Sequence, residues 1–203
     1  TFNKCTFSAT VQNKAALEID GELSNGADII NTVNINNCVA SGFKAGENTG
    51  EPLFNIKNGP ENVTINIDGS KWVTSSSDLI NTLAKGENAT LSCDVNVGTT
   101  QLALAEGQEI NLNGHTLTTQ MSFGGISMKK GASIKGGTIE HTSAVAAIKA
   151  FNVGSIEDVA IKCTCTTSVN PITGIAIQNG GYVESIKNVT IVGATQCIEV
   201  GYQ

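Results

Sequence analysis

A short pattern of apolar and polar positions recurs along the chain. Residues 185–191 read Ser-Ile-Lys-Asn-Val-Thr-Ile, and close copies occur at 133–139 and 155–161. In each copy a small polar turn is followed by an apolar residue, an outward residue and another apolar residue. Because side chains alternate along a strand, this pattern predicts a short strand with its apolar side chains pointing inward. Looser copies lie at 2–7, 30–35 and 60–65.

A second short apolar segment precedes each copy and is usually closed by glycine. The repeat interval varies, because Ile134 and Ile156 are 22 positions apart and Ile156 and Ile186 are 30 apart. Short strands joined by turns of variable length, at intervals of a few tens of residues, are typical of solenoids. The second segments lie at 17–21, 54–59, 126–131, 148–154 and 175–180, and another begins at Ile198.

These intervals predict an all-β fold, a parallel β-helix in which each coil hydrogen-bonds to the next and like residues stack. The strands are too short, and the connections too small, for strand–helix–strand units. We expect two interior columns of isoleucine along the solenoid. They consist of Ile134, Ile156 and Ile186, and of Ile139, Ile161 and Ile191.

The pattern breaks in mid-chain. Residues 75–86 have Ser and Asp at the start, apolar positions at 79, 80 and 83, and a closing glycine, which predicts a short amphipathic helix. We expect this helix to cap an open solenoid end, since a terminal repeat needs protection for its unpaired strand edges. The predicted cap consists of Leu79, Ile80 and Leu83, with Trp72 as a plug.

The position of this cap divides the chain. Residues 1–70 resemble the terminal coils of one β-helix, 71–121 a capping helix with an opening coil, and 122–203 regular coils. Alternating strands are expected at 89–97 and 101–104, followed by the segment 110–117.

The two ends of the chain match each other. If Gln203 were joined to Thr1, Ile198 and Phe2 would be seven positions apart, against eight between Ile126 and Ile134. We therefore expect the chain to open inside a repeat, with any targeting segment outside it or removed. Three origins would explain this match: one period of a longer tandem array, a permuted domain, or a subunit whose last coil is completed by the next subunit. In the last case, head-to-tail strand addition gives a non-closing contact and hence a fibre. The predicted assembly ends are Thr1, Phe2, Cys5, Phe7, Ile198, Val200 and Tyr202.

Charge and composition exclude several partners. The net charge is −6 and the pI is near 4.9, which argues against nucleic acid or an anionic membrane as the main partner. No apolar stretch approaches a membrane-spanning length, so no membrane insertion is expected. Asparagine is abundant, and it suits turns and can form amide ladders between stacked coils.

The six cysteines form no C-x-x-C pair, so no zinc site is predicted. Cys5 and Cys163 fall on inward positions of the repeat. One interpretation is buried thiols that act as small apolar side chains. The other is one or more disulfides between neighbouring coils, which an oxidising exterior would permit. The remaining cysteines are Cys38, Cys93, Cys165 and Cys197.

Residues 111–117 read Asn-Leu-Asn-Gly-His-Thr-Leu. With this segment and the strand–turn–strand copies, the chain resembles right-handed parallel β-helix proteins of the pectate-lyase-like superfamily. It is especially similar to repetitive surface proteins of bacteria, in which a capping helix, an alternating strand and such a segment open each solenoid. The resemblance covers nearly the whole chain. It implies a right-handed solenoid outside the bacterial cell, in adhesion, surface layers or fibres, and sometimes polysaccharide cleavage.

The residues offer little catalytic chemistry. Lyases of this superfamily use calcium-binding aspartates and a basic residue, usually arginine, and this chain has no arginine. Hydrolases need clustered carboxylates, and the one adjacent acidic pair, Glu157–Asp158, falls in a turn. His115 is expected to bond the turn or the cap, and His141 is expected to face solvent. No catalytic, metal-binding or cofactor-binding residue is predicted, and no cofactor is expected.

We therefore expect a non-enzymatic subunit or repeat of an extracellular bacterial fibre or adhesin. Roughly seven coils, at about 4.8 Å each, give an axial repeat of ~33 Å plus the cap. Its expected partner is another copy of itself, with host or bacterial glycans as a further possibility. The alternatives are a carbohydrate-active domain, lyase-like or tailspike-like, and a glycan-binding module without turnover.

Overall fold

The chain is all-β. A computed structural model describes residues 1–10, 13–21, 31–59, 62–165 and 172–202, in which strands dominate and one short helix occurs. The chain divides into two compact units, Thr1–Trp72 and Val73–Gln203. The finer sequence-based division, with boundaries after residues 70 and 121, stays a prediction. The predicted repeats at 30–35 and 60–65, and the join at Gln203, lie partly outside the described residues.

The first unit is built mainly from parallel strand pairs. Asn34 faces Asn66 in one of these pairs, and the Asn66 amide donates to Oδ1 of Asn34 at 2.8 Å, which confirms an asparagine ladder. The strands are β1 (Phe2–Asn3), β2 (Thr6–Ser8), β3 (Leu17–Ile19), β4 (Asn31–Asn36), β5 (Val39–Ser41), β6 (Phe54–Ile56), β7 (Val63–Ile67) and β8 (Ser70–Val73). The parallel pairs are β1–β4, β4–β7, β2–β5 and β3–β6, and β8 turns back antiparallel to β7.

The core of this unit is centred on an aromatic pair. The rings of Phe54 and Trp72 meet edge to face with centroids 5.2 Å apart, and both side chains are buried. They pack with Ile35, Ile56 and Ile65. The prediction that Trp72 plugs the helical cap is therefore wrong. The chain reverses direction at Asp68 and Gly69, both with positive φ, so β8 returns along β7 and Trp72 joins the core of the first unit.

The second unit begins with the predicted helix, α1 (Ser76–Ala84). Ser75 is its N-cap and accepts a hydrogen bond from the Asp78 amide, and Gly86 follows the helix with a φ of +77°. Leu79 and Leu83 are buried in the core of this unit, and Ile80 packs against it. The helix and its apolar face are thus confirmed.

Thirteen strands follow α1 among the described residues. They are β9 (Asn88–Leu91), β10 (Val95–Asn96), β11 (Leu102–Leu104), β12 (Glu109–Asn111), β13 (Thr116–Thr119), β14 (Ile126–Met128), β15 (Ser133–His141), β16 (Val145–Ala150), β17 (Val153–Cys163), β18 (Ile172–Gln178), β19 (Val183–Lys187), β20 (Thr190–Val192) and β21 (Gln196–Tyr202).

These strands pair in parallel along three ladders. Ladder A aligns Ala89, Ile110, Ile134, Ile156 and Ile186. Ladder B aligns Val95, Leu117, Ile139, Ile161 and Ile191. Ladder C aligns Leu102, Ile126, Ile148, Ile175 and Ile198. Both predicted isoleucine columns are confirmed in register. Their members are fully buried except at the last position of each ladder.

A buried glutamine ties the helix to the first strands of this unit. Gln108 is 2% exposed; its amide nitrogen donates to the carbonyls of Leu83 at 3.1 Å and Glu87 at 2.6 Å. Its amide oxygen accepts from the backbone of Ala105 at 2.9 Å. Carbonyls at a helix C-terminus lack partners within the helix, and this side chain supplies one. The hydrophobic pattern does not predict this role, because the two carbonyls that accept from Gln108 lie 21 and 25 residues away in the chain.

Candidate interaction edges

The strands β19, β20 and β21 form one edge of the second unit, called here the C-edge. Among the described residues, each of the three pairs with a strand on one side only. In a strand with only one neighbour, about half of the backbone N–H and C=O groups point away from that neighbour and have no ladder partner. Such an edge can accept another strand. The C-edge is therefore a candidate site for strand addition.

Apolar side chains that are buried in the interior of the ladders are exposed at the C-edge. Ile175 and Ile177 are buried, whereas their partners Ile198 and Val200 are 46% and 75% exposed. On ladder A, Ile156 is buried and Ile186 is 38% exposed. The exposure follows from position in the stack rather than from residue type, since each residue continues a column that is otherwise covered.

The strands β1, β2 and β3 form a matching edge of the first unit, called here the N-edge. Within the part of the chain that the structure describes, each pairs with one strand, and the side chains of β1 and β3 are less buried than their partners on β4 and β6. Ile35, which faces Phe2, is 1% exposed, whereas Phe2 is half-buried. Phe2 and Phe7 pack edge to face with their centroids 6.3 Å apart.

The two edges share one backbone feature. In each of the last three repeats of the second unit, the chain turns between ladder A and ladder B at one residue with positive φ. These corner residues are Gly136, Asp158 and Asn188, with φ between +51° and +72°. The first unit turns in the same way at Lys4 and Asn37, with φ of +53° and +51°. In every case the corner lies two residues after the aligned apolar residue of ladder A, or of β1 and β4. The next aligned apolar residue follows three positions later.

The predicted assembly residues occupy these two edges. Thr1 is exposed at the start of the chain, and Phe2, Cys5 and Phe7 are half-buried in or beside the N-edge. Ile198, Val200 and Tyr202 lie on β21 of the C-edge. The structure thus places one group in each unit.

His141 is buried, and the expectation that it faces solvent is wrong. Strand β15 continues two residues beyond Ile139, so the alternation that turns Ile139 inward also turns His141 inward. The ring Nδ1 lies 2.9 Å from Oγ1 of Thr119, and Nε2 lies 3.3 Å from the Ala144 carbonyl. Because a carbonyl only accepts, Nε2 carries the proton and the Thr119 hydroxyl donates to Nδ1. Burial lowers the pKa of His141, so the ring is neutral at pH 7.

The other titratable residues singled out in the sequence do not form a reactive cluster. Glu157 accepts from the Ser185 hydroxyl at 2.9 Å, while Asp158, at the exposed corner, accepts from the Asn188 amide at 2.8 Å. Nδ1 of His115 lies 3.6 Å from the Asp94 carboxylate, which fits the predicted role in bonding the turn. No group of three or more potential metal ligands occurs among the described residues.

All six cysteines are free thiols, and only Cys163 is buried. Cys5, Cys38, Cys93 and Cys165 are half-buried, and Cys197 is exposed. The interpretation as buried apolar side chains therefore holds for Cys163 alone. Gly193 lies against the Cys163 backbone, and a side chain at Gly193 would collide with the Cys163 carbonyl.

A polar cavity of about 480 Å³ opens in the first unit, on the outward side of β3 and β6. Glu18 and Asn55 face each other across these strands, and the Asn55 amide donates to the Glu18 carboxylate at 3.4 Å. The Asn55 oxygen accepts from the Asn48 backbone at 2.9 Å, which fixes the loop that walls the cavity. The lining also includes three lysines, Lys14, Lys44 and Lys57.

No family model, characterised protein or solved structure matches this chain. Among the residues that the structure describes, no helix has both the length and the apolar character needed to cross a membrane.

Proposed function

We propose that this chain is a right-handed parallel β-helix related to the pectate-lyase-like superfamily. We further propose that it is a non-enzymatic subunit or repeat of an extracellular bacterial fibre or adhesin. The C-edge of one copy receives the N-edge of the next, either as a separate subunit or as the next repeat of a longer chain. The observation that carries the proposal is the exposure, at the C-edge, of apolar residues that continue buried ladders.

The three ladders support the β-helix. Their successive strands pair in parallel at intervals of 21 to 30 residues, and the chain visits ladders A, B and C in the same order in each repeat. Parallel strands joined by crossovers are right-handed in nearly all proteins, which agrees with the handedness that the resemblance implies.

A second copy fits the C-edge better than an unrelated strand does, because the N-edge has the same corner. With Lys4 stacked on Asn188, Phe2 follows Ile186 on ladder A, and Phe7 follows Ile191 on ladder B. A strand of the wrong register would turn its apolar side chains outward, so this match of corner and apolar positions is a specific requirement. On ladder C, Leu17 and Ile19 would then follow Ile198 and Val200.

The area to be covered sets the scale of the interaction. Complete burial of one aliphatic side chain contributes about 1.5–3 kcal/mol. The exposed fractions of Ile186, Ile198 and Val200, which continue buried columns, are 38%, 46% and 75%, equivalent to about one and a half complete side chains. The C-edge therefore offers roughly 2–5 kcal/mol before backbone pairing, and association costs about 4–15 kcal/mol in lost freedom. Strand pairing and the apolar N-edge must supply the rest, so we expect assembly at micromolar or higher concentration.

One pair in this register opposes assembly. If Ile198 and Val200 stack on Leu17 and Ile19, then Glu199 faces Glu18 of the next copy. Like charges directly opposite each other on neighbouring strands are destabilising. The Glu199 carboxylate already accepts from the Thr173 hydroxyl at 3.1 Å, which holds it on this face of the strand. The proposal therefore requires that Glu199→Gln strengthen assembly.

Sedimentation velocity and electron microscopy over a range of protein concentrations test the proposal. We expect filaments above a critical concentration, which Val200→Lys raises at least tenfold and Glu199→Gln lowers. The matched control is Phe123→Lys, because Phe123 is 70% exposed in the same unit but lies outside the edge strands.

If the contact is head to tail, a variant with only one intact edge should cap growing filaments. Chains carrying Val200→Lys keep an intact N-edge, so a small proportion of them should stop the growth of wild-type filaments. Adding Phe7→Lys to the same chain should remove this capping effect. Chains that remain monomeric at every concentration, or filaments that are insensitive to Val200→Lys, would exclude the proposed contact.

The polar cavity favours glycan binding as a second candidate function. Lysine, carboxylate and amide groups line it, and such groups hydrogen-bond sugar hydroxyls and uronic acid carboxylates. Asn55 and Glu18 are held in place by hydrogen bonds, so the floor of the cavity is ordered before any ligand arrives. A glycan array probed with the wild type and with Lys57→Ala tests this function. Binding that survives the substitution, or no binding at all, removes it, while release of sugar fragments would favour the carbohydrate-active alternative.

A further inference from the structure

Two of the six cysteines occupy equivalent positions at the corners between strands, in neighbouring repeats of the first unit. Asn3 faces Asn36, and Thr6 faces Val39. Cys5 and Cys38 lie between these pairs, each directly after the positive-φ corner residue of its repeat. Equivalent residues of adjacent parallel strands project to the same side, so the two thiols are neighbours.

The contacts between the two cysteines are short. The Val39 amide donates to the Cys5 carbonyl at 3.0 Å, and the Cys5 amide lies 3.4 Å from Sγ of Cys38. Each thiol donates to the carbonyl two residues before it, at 3.6 Å for Cys5 and 3.3 Å for Cys38. The two side chains thus have the same orientation, and rotation of one about its Cα–Cβ bond directs its sulfur at the other.

The backbone spacing suits a disulfide. Neighbouring strands lie about 4.8 Å apart, and Cα atoms joined by a disulfide are usually about 4.4–6.8 Å apart. Both residues are half-buried, so an oxidant can reach at least one thiol without unfolding of the unit. A disulfide between two residues stacked in this way can therefore form without movement of the neighbouring strands.

We infer that Cys5 and Cys38 form a redox-active pair that closes to an intramolecular disulfide and joins the first two repeats. With glutathione disulfide as the oxidant, one thiol loses its proton and attacks a glutathione sulfur, which releases one glutathione thiolate. The second cysteine then loses its proton and attacks the mixed disulfide, which releases another. The two protons pass to these thiolates, so one disulfide is formed, one is broken, and two molecules of glutathione are produced.

Cys163 is a poorer candidate for this reaction. Cys163 is buried, and both its desolvation and the nearby Cys197 raise the pKa of its thiol. A thiol with a raised pKa provides less of the thiolate that attacks a disulfide.

Trypsin separates the cysteines in a way that makes the test direct. Cleavage after Lys4, Lys14 and Lys44 releases Cys5 in peptide 5–14 and Cys38 in peptide 15–44, with no other cysteine in either. The chain is incubated with glutathione disulfide, its free thiols are alkylated, and the digest is analysed by mass spectrometry. We expect the two peptides as one linked species, two hydrogens lighter than their sum, in the monomer fraction. Dithiothreitol before alkylation should restore the separate peptides.

Several outcomes would overturn the inference. These are full alkylation of both peptides, stable glutathione adducts without closure, or a linked pair of two copies of peptide 5–14. In Cys5→Ser and Cys38→Ser the partner cysteine should remain either a free thiol or a stable glutathione adduct, and a disulfide between that cysteine and another peptide of the chain also refutes the assignment. The measurement uses dilute monomer, so it gives the same answer whether or not the chain assembles.

Discussion

Replacing Gln108 with glutamate is expected to destabilise the second unit at neutral pH and to affect it less in acid. The side chain is 2% exposed and donates two hydrogen bonds, to the carbonyls of Leu83 and Glu87, while accepting one from the Ala105 amide. An introduced carboxylate keeps the acceptor role. It cannot donate the two hydrogen bonds to the Leu83 and Glu87 carbonyls, and it places a negative charge beside both carbonyl oxygens.

The structure sets the size of this effect. A net hydrogen bond contributes about 0.5–1.5 kcal/mol, and a buried group without a partner costs about 1–3 kcal/mol. The Leu83 carbonyl also accepts from the Gly86 amide at 3.0 Å, so its loss lies at the lower end. We expect Gln108→Glu to lower the free energy of unfolding at pH 7 by about 3 kcal/mol. At about 1–3 kcal/mol per molar urea, the unfolding midpoint falls by roughly 1–3 M.

The effect has a defined pH dependence. Desolvation and the two carbonyls raise the pKa of the introduced carboxyl in the folded state above its unfolded value of about 4.3. The folded state then binds a proton more tightly than the unfolded state, so stability is retained below about pH 4.3 and is lost as the pH rises. Once protonated, the carboxyl can donate one of the missing hydrogen bonds, and the loss should shrink to about 1 kcal/mol.

The assay combines urea unfolding, followed by circular dichroism, with hydrogen exchange of the α1 amides at pH 4 and pH 7. The matched control is Gln120→Glu, which introduces the same charge at an exposed position of the same unit. Equal effects of the two substitutions at both pH values would show that Gln108 does not stabilise the helix terminus.

Three further expectations concern other parts of the chain. Burial lowers the pKa of His141, so the unfolded state binds a proton more readily than the folded state. The free energy of unfolding should therefore fall as the pH drops below 6.5, by at most about 1.4 kcal/mol per pH unit. His141→Gln should flatten this pH dependence, measured by acid denaturation. Phe54→Ala should cost about 3–5 kcal/mol and shift the fluorescence of Trp72, the single tryptophan, to longer wavelength, since the ring it packs against is removed. Asn188→Ala should lower the free energy of unfolding by about 1 kcal/mol or more, measured by thermal unfolding, because alanine is strained at a φ of +51° and the hydrogen bond from the Asn188 amide to Asp158 is lost. Asn188→Gly should remove the backbone strain but not restore the hydrogen bond.

The register of the second unit could be predicted from sequence because two features coincide in each repeat. Ile134, Ile156 and Ile186 each begin a five-residue spacing to the next aligned isoleucine, and a polar or glycine corner lies two residues after each. A shift by one residue would turn every apolar side chain outward, so the pattern admits one alignment. The unequal intervals of 22 and 30 residues do not disturb it, since the extra residues lie outside the paired positions.

Buried polar residues could not be predicted in the same way. Gln108 and His141 each satisfy partners from segments that are distant in the chain, and a hydrophobic pattern carries no information about such partners. Trp72 was misplaced for a related reason. Its position two residues before the helical segment suggested the cap, whereas an antiparallel reversal at residues 68 and 69 places it beside Phe54. Local sequence identified the elements, and the tertiary partners determined these three environments.

The two edges also restrict when assembly can occur. An edge with only apolar, complementary positions would associate without control, and proteins usually protect such edges with charge. Here Glu199 lies between Ile198 and Val200 on the C-edge, on the face opposite to the apolar column of ladder C, and the proposed partner strand carries Glu18 at the same position. If assembly occurs in this register, the two carboxylates oppose it at low salt, while screening weakens the opposition. Assembly that strengthens with salt, and that loses this dependence in Glu199→Gln, would identify this pair as the control on the junction.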